Sequence, residues 1–283
     1  AFLLVYNSAV FGSPFSMSYA HESFPEWAAV AGQGVFGIGI PTLSNAYLLL
    51  ISPARGLFFF SPILLLPLIN FLTSADRVTL RHRVRSAAVL LTILILCGHG
   101  AAHGGWGVGA RYLVIIMPLM LDPLFNGEMK DTNAAVKGVL FGLSFVLSTL
   151  AIFTFPFAPP EFQFPHNDFW MAFIRQEGWI VPNFANVLGA TSSFWTLVPV
   201  VLALAGVLVL VVRNAVKPTR FLAGSAVAVV VVGVYVSAPN LSGQDAKFRR
   251  ASIAERYFRP AGRLDAFSAD PVFASRVNEF KWI

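Results

Sequence analysis

Long apolar runs separated by short polar segments make up most of this 283-residue chain. A run of about 20 apolar residues is long enough to cross a lipid bilayer as a helix. The runs that reach or approach this length are 57–73, 86–103, 111–125, 138–157, 194–212 and 221–237. Pro62 and Pro67 are predicted to kink the first run, which membrane helices tolerate where neighbours satisfy the freed carbonyls. The pattern predicts an all-α fold, a polytopic transmembrane helical bundle of about six to seven spans.

The remaining segments divide the chain into a transmembrane domain, 1–238, and a tail, 239–283. Residues 34–52 are spaced by glycines and have a short apolar part, which predicts an interfacial or re-entrant helix. Residues 7–33 are too polar to span and are predicted to form a surface loop. Residues 1–6 resemble the end of a span, so we expect the domain to be the C-terminal half of a larger one. The tail, of about 45 residues, is expected to dock modestly, because so short a segment rarely forms its own core.

The composition agrees with a membrane protein. The chain is 56% hydrophobic and only 12% charged, whereas soluble domains carry about 25% charged residues. The net charge of +6 does not indicate nucleic acid, because the basic residues lie mostly in short loops between spans and in the tail. The single cysteine, Cys97, cannot form an intrachain disulfide.

Lysine and arginine counts in the short loops predict the orientation, because cytoplasmic loops carry the excess. One side holds nine such residues, namely Arg77, Arg81, Arg83, Arg85, Lys130, Lys137, Arg213, Lys217 and Arg220. The other side holds three, namely Arg55, Arg111 and Arg175. The first side is predicted to be cytoplasmic, so the loops 7–56, 104–110 and 158–193 and the tail face outward. Binding or chemistry is therefore expected on the extracytoplasmic face.

A glycine-rich loop is the most informative segment, and it reads Gly104-Gly105-Trp106-Gly107-Val108-Gly109-Ala110-Arg111-Tyr112. Glycine lets the backbone approach a ligand closely, and an arginine at the mouth of an apolar helix needs water or an anionic partner. Such a loop can bind phosphate through Arg111 and through free N–H groups at a helix start. The alternative is an interfacial turn with a snorkelling arginine. Arg55 stands beside glycine at the mouth of another span, and two guanidinium groups at headgroup depth suit a lipid phosphate or pyrophosphate.

Two histidines next to this loop, His99 and His103, are four residues apart and would share a helix face. Cys97 is nearby, but Gly100 stands where the glutamate of an H-E-x-x-H metal motif would be. We therefore predict no metal site and interpret the pair as histidines hydrogen-bonded to their neighbours.

Other polar residues offer contacts to a substrate without a diagnostic spacing. His21 and Glu22, in the first outer loop, could supply a general base, a substrate contact or a metal ligand, but a solvated loop contains such pairs as well. His166 and Asp168 lie in the long outer loop and have the same two interpretations. Asp122 is interpreted as a helix-end residue rather than an acid in a proton path.

Three motifs in the first 125 residues point to a known family. They are Tyr6-Asn7 with Phe11-Gly12-Ser13-Pro14, the run Ser52-Pro53-Ala54-Arg55-Gly56-Leu57-Phe58-Phe59-Phe60-Ser61-Pro62, and Gly104-Gly105-Trp106 followed by Gly109-Ala110-Arg111-Tyr112 and Pro118. In this order they resemble the C-terminal half of bacterial polytopic proteins related to the protein-mannosyltransferase-like (GT-C) glycosyltransferases. In those proteins the third motif usually reads W-G-G followed by G-P-R-Y or G-P-R, and here Ala110 replaces the proline but the arginine is kept. The resemblance covers 1–125 and does not extend to the tail.

The resemblance implies an integral membrane enzyme with an extracytoplasmic site. Such an enzyme takes a sugar from a polyprenyl-phosphate carrier and transfers it to a glycan, lipid or protein acceptor. Its catalytic acidic residue lies in the first outer loop, which would be upstream of Ala1. The resemblance assigns the phosphate contact to Arg111 and then Arg55, with Tyr112, Trp106 and Gly105 shaping the donor site. Glu22, His21 and His103 are expected to contact substrate. No cofactor is implied, and dependence on a divalent metal is left open.

Two other functions fit the sequence. A transporter or flippase for a lipid-linked solute would need polar residues at mid-membrane depth or broken helices in corresponding halves. The runs 138–157, 194–212 and 221–237 hold no charge, which argues against an ion-coupled pump. A non-catalytic membrane scaffold would use the outer loops and the tail to bind a partner.

Overall fold

Helices dominate the computed structural model, which describes residues 2–16, 29–30, 37–73, 79–105, 107–125, 133–154, 157–159, 162–177, 198–213, 215 and 217–238. No strand occurs within these ranges, where β-type pairing is limited to two isolated bridges, Ile38 with His99 and Gly107 with Phe157. The predicted all-α class is confirmed for this part of the chain. The predicted tail lies outside the described residues.

The α-helices, in chain order, are α1 (Phe2–Phe11), α2 (Leu43–Leu50), α3 (Leu57–Phe60), α4 (Leu65–Thr73), α5 (Leu80–Cys97), α6 (Met117–Phe125), α7 (Ala134–Thr154), α8 (Met171–Glu177), α9 (Val198–Arg213) and α10 (Pro218–Ser237). Short 3₁₀ segments at Pro62–Leu64 and Arg111–Ile116 precede α4 and α6. A π-helical turn at His166–Trp170 precedes α8.

Two of these helices, α7 and α10, are long and apolar enough to cross a membrane, with 21 and 20 residues. Elsewhere in the described ranges the apolar helices are shorter, as in Phe2–Phe11, Pro62–Phe71 and Val201–Arg213. A count of six to seven spans therefore stays a prediction.

Small residues bring α7 and α10 into close contact. A Cβ on Gly138 would lie 2.1 Å from the Phe221 carbonyl oxygen, and one on Gly224 would lie 2.2 Å from that of Ala135. Further along, Leu147 packs against Val232 and Val236. The contacts advance in the same direction along both helices, so α7 and α10 run parallel. Small residues spaced four apart permit such close packing between membrane helices, and our sequence prediction did not use this signal.

The face of α10 that is not packed against the rest of the protein is apolar. Val227, Val230 and Val234 are 54%, 64% and 70% exposed, whereas Phe221, Gly224, Ala228, Val232 and Val236 are buried. A helix that buries one apolar face and exposes another is suited to an environment of lipid.

The predicted span 57–73 is interrupted at Ser61–Pro62, as its first proline predicted, whereas Pro67 lies within α4 without a break. The break frees backbone groups that α7 then satisfies. Ser144 Oγ accepts a hydrogen bond from the Ile63 N–H at 3.0 Å, and Ser148 Oγ donates one to the Phe60 carbonyl at 3.2 Å.

The boundaries of α5 correct the sequence prediction, which began this span at residue 86 and ended it at 103. The helix begins at Leu80, where Thr79 caps it, and ends at Cys97. Arg81 and Arg85, which were assigned to a loop, lie in its first turns and both pair with Asp122 of α6. Asp122 is therefore a helix-end residue, as predicted, and it joins α5 to α6.

Two predicted loops contain helix. The first outer loop was predicted to begin at residue 7, but α1 continues to Phe11 because its apolar and small residues extend the helix. The long loop 158–193 contains the π-helical turn and α8, and its polar residues His166, Asn167 and Asp168 are buried rather than solvated.

Candidate functional site

Three segments that are distant in sequence meet at the glycine-rich loop. They are the turn before α3, the loop itself and the segment after α7. Gly107 forms its bridge with Phe157, and the Arg55 side chain bonds to the loop and to Ala158. These three segments, which the sequence assigns to one face, are therefore in direct contact.

Arg55 is buried, with 2% of its surface exposed. Its guanidinium donates hydrogen bonds to the carbonyl oxygens of Gly105, at 3.0 Å, and of Gly107 and Ala158. The Ser52 hydroxyl accepts from the Arg55 N–H at 3.3 Å and so fixes the turn that positions this side chain. Arg55 thus holds the glycine-rich loop against the segment after α7. Its role as a second phosphate contact stays a prediction.

Two structural features explain why glycine occupies several positions of the loop. Gly104, Gly105 and Gly109 have φ values of 68°, 66° and 62°, a left-handed conformation that favours glycine. A Cβ on Gly107 would lie 2.7 Å from Arg111 Cδ, and one on Gly104 would lie 3.2 Å from Arg111 Cγ and Nε. Gly104 and Gly107 therefore leave room for the Arg111 side chain to lie against the loop backbone.

Arg111 is exposed at this surface. Its Cζ atom lies 5.2 Å from the centre of the Tyr112 ring, a cation–π contact that orients the guanidinium. Among the residues that the structure describes, the Arg111 side chain has no hydrogen-bond or ion-pair partner. A guanidinium carries five N–H donors, and none of those of Arg111 is used by these described residues.

His99 and His103 each accept a hydrogen bond from a backbone N–H two residues later. Ala101 N–H donates to His99 Nδ1 at 2.9 Å, and Gly105 N–H donates to His103 Nδ1 at 2.9 Å. Because Nδ1 uses its lone pair in this contact, the neutral ring carries its proton on Nε2. Each ring thus has a donor at Nε2 rather than a lone pair for a metal ion.

The backbone around His99 is held by the first turn of α2 and by the segment that precedes it. Asn45 Nδ2 donates to the carbonyls of Cys97 and His99 at 2.9 and 3.1 Å. Gly39 N–H donates to the Gly98 carbonyl at 2.7 Å, and a Cβ on Gly98 would lie 2.3 Å from the Gly39 oxygen. Our sequence analysis did not identify Asn45, although an asparagine that begins an apolar run is a usable signal.

The residues of the π-helical turn form a second, buried polar cluster. His166, Asn167 and Asp168 are at most 3% exposed. His166 Nε2 bonds to the Leu147 carbonyl at 3.1 Å, and its ring lies 4.8 Å from that of Phe60. Burial lowers the pKa of His166 to about 4, and the bond to Leu147 offsets part of this effect. His166 is therefore neutral at physiological pH.

The structure brings together five of the predicted site residues, namely Arg55, Gly105, His103, Arg111 and Tyr112. Trp106, His21 and Glu22 lie outside the described residues.

Comparisons of the chain with protein-family models, curated proteins and solved structures give no match. An assignment of function therefore depends on the residues of the site and on the sequence motifs.

Proposed function

We propose that this chain is part of an integral membrane glycosyltransferase of the protein-mannosyltransferase-like type. It transfers a sugar from a polyprenyl-phosphate carrier to an extracytoplasmic glycan, lipid or protein acceptor. The observation that carries this proposal is the exposed Arg111, which lies on a glycine surface beside Tyr112. The motifs around Arg55 and Arg111 and the two span-length helices support it.

The chemistry of sugar transfer explains why such an arginine is useful. When the sugar leaves its carrier, negative charge develops on the lipid phosphate. A fixed guanidinium binds phosphate oxygens in a bidentate way and stabilises this charge. Because the loop atoms beneath Arg111 are backbone, its side chain can lie close against the loop.

The proposal also includes a location and a topology. The chain is multi-pass in the cell membrane, with the glycine-rich loop and the segment after α7 outside. The parallel arrangement of α7 and α10 agrees with this topology, because both helices would run from the cytoplasmic to the outer side. The Asp122 pairs with Arg81 and Arg85 would then lie at the cytoplasmic side.

The test is binding of undecaprenyl monophosphate to the protein in lipid nanodiscs. We expect Arg111→Ala to weaken this binding at least about tenfold, since a charge-assisted contact is lost. Arg111→Lys should recover only part of the affinity, because an ammonium is not bidentate. Undecaprenol, which lacks the phosphate, should bind wild type and variants equally.

Arg83→Ala is the matched control. Arg83 is also an exposed arginine, but it lies near the start of α5, at the end away from the glycine-rich loop. It should bind undecaprenyl monophosphate like wild type. An equal loss in Arg83→Ala and Arg111→Ala, or unchanged affinity in Arg111→Ala, would contradict the proposal and favour a transporter or scaffold.

A further inference from the structure

His99 lies beside the same aromatic ring as Arg111. Its ring centre is 5.4 Å from that of Tyr112, and Arg111 Cζ is 5.2 Å from the Tyr112 ring centre. His99 is partly exposed. An imidazole and a guanidinium therefore border one tyrosine at the edge of the glycine-rich loop.

The hydrogen-bonding state of His99 is fixed by the backbone. The Ala101 N–H occupies Nδ1 at 2.9 Å, so the neutral ring has its proton on Nε2 and is a donor there. The Asn45 bond to the His99 carbonyl and the Gly100 N–H bond to the Gly37 carbonyl, at 3.1 and 2.8 Å, hold the residue in place. Such preorganisation is what a ligand-binding donor requires.

We propose that His99 donates its Nε2–H to the anionic headgroup that Arg111 binds. The inference rests on the proposed function and defines the ligand of that site more narrowly, as a phosphate held by one charged and one neutral donor. The guanidinium supplies charge, and the imidazole supplies a directed hydrogen bond that strengthens when the acceptor is ionised.

Two amide variants distinguish the role of Nδ1 of His99 from the role of Nε2. His99→Asn keeps an acceptor close to the position of Nδ1, so the Ala101 N–H remains bonded, but it removes the donor at Nε2. His99→Gln can extend its amide NH₂ toward the position of Nε2. We expect His99→Asn to weaken undecaprenyl monophosphate binding about tenfold, and His99→Gln to recover most of the affinity.

Undecaprenol reports whether the effect concerns the phosphate. Both variants should bind undecaprenol like wild type, and the thermal unfolding midpoint of His99→Asn in detergent should be unchanged. Unchanged phosphate affinity in His99→Asn, or an equal loss for both lipids, would overturn the inference. If Arg111→Ala loses binding and His99→Asn does not, only this inference fails. If Arg111→Ala keeps its affinity, the proposed function itself fails.

Discussion

Arg55 and Arg111 touch the same glycine-rich loop and are used in opposite ways. Arg55 is buried and bonds to the loop's carbonyl oxygens, whereas Arg111 is exposed and lies across the loop's glycines. Both follow a short turn at the mouth of an apolar run, so their sequence contexts are alike. The difference arises because carbonyl groups surround one guanidinium and leave the other to water. Arg55 therefore stabilises the glycine-rich loop, and the loop supports the exposed side chain of Arg111.

The largest expected effect is on stability, when Arg55 is replaced. Arg55→Ala removes the donor from the carbonyls of Gly105 and Gly107, which are partly buried, and of Ala158, which is buried. A buried acceptor that loses its hydrogen-bond donor costs about 1–3 kcal/mol, and three acceptors are affected here. We expect a large drop in the thermal unfolding midpoint in detergent, or a loss of folded protein.

Arg111→Ala is the control for this comparison. It should change stability by less than about 0.5 kcal/mol, as exposed substitutions usually do. Equal destabilisation by the two variants would show that Arg111 also supports the loop, and the contrast between the two arginines would be wrong.

A second prediction concerns how the stability depends on pH through His166. The His166 ring contacts Trp170, which belongs to the same buried cluster as Ala158, a partner of Arg55. The pKa of His166 falls from an ordinary 6.5 to about 4 in the folded protein. Unfolded His166 therefore binds a proton at a higher pH than folded His166. The contribution of neutral His166 to stability is therefore complete above pH 6.5. It decreases as the pH falls from 6.5 to 4, by about 3 kcal/mol in total, and changes no further at lower pH.

His166→Gln isolates this contribution, because it retains a donor for Leu147 and removes the titration. The difference in unfolding free energy between wild type and variant should decrease by about 3 kcal/mol between pH 7 and pH 4. A difference that does not vary with pH would contradict the buried, neutral state of His166.

The smallest effect is expected from Gly107→Ala. The new Cβ would lie 2.7 Å from Arg111 Cδ, so the flexible arginine must move while the backbone stays. We expect undecaprenyl monophosphate binding to weaken a few-fold, with stability changed by less than about 1 kcal/mol. Gly206→Ala is the matched control, since a Cβ there meets nothing within 4 Å. Unchanged affinity in Gly107→Ala would show that the position of Arg111 on the loop is unimportant.

Apolar runs and prolines predicted the parts of the fold that depend on local sequence. The runs that became α7 and α10 and the break before Pro62 are such cases, because segment length and a missing N–H act within a few residues. The early start of α5 was missed because its arginines were interpreted as loop charges, and their partner Asp122 is distant in sequence.

The candidate site was only partly predictable for a related reason. The sequence identified Arg111 and the glycines around it, because both are visible as residue types. It did not identify what Arg55 binds, since its partners are backbone carbonyls up to 103 residues away and carry no side-chain signal. The burial of His166, Asn167 and Asp168 was missed because three polar residues in a row are typical of a solvated loop.

The two serines of α7 that complete the broken helix have a consequence for biosynthesis. A ribosome makes residues 57–73 long before it makes Ser144 and Ser148, so in the proposed topology the break at Phe60 and Ile63 would have no serine partners when it first reaches the membrane. In hydrocarbon, unsatisfied backbone groups cost several kcal/mol each. In the proposed topology, this segment would therefore wait in a hydrated or protected environment and enter the bilayer together with α7, so that membrane insertion would not follow chain order.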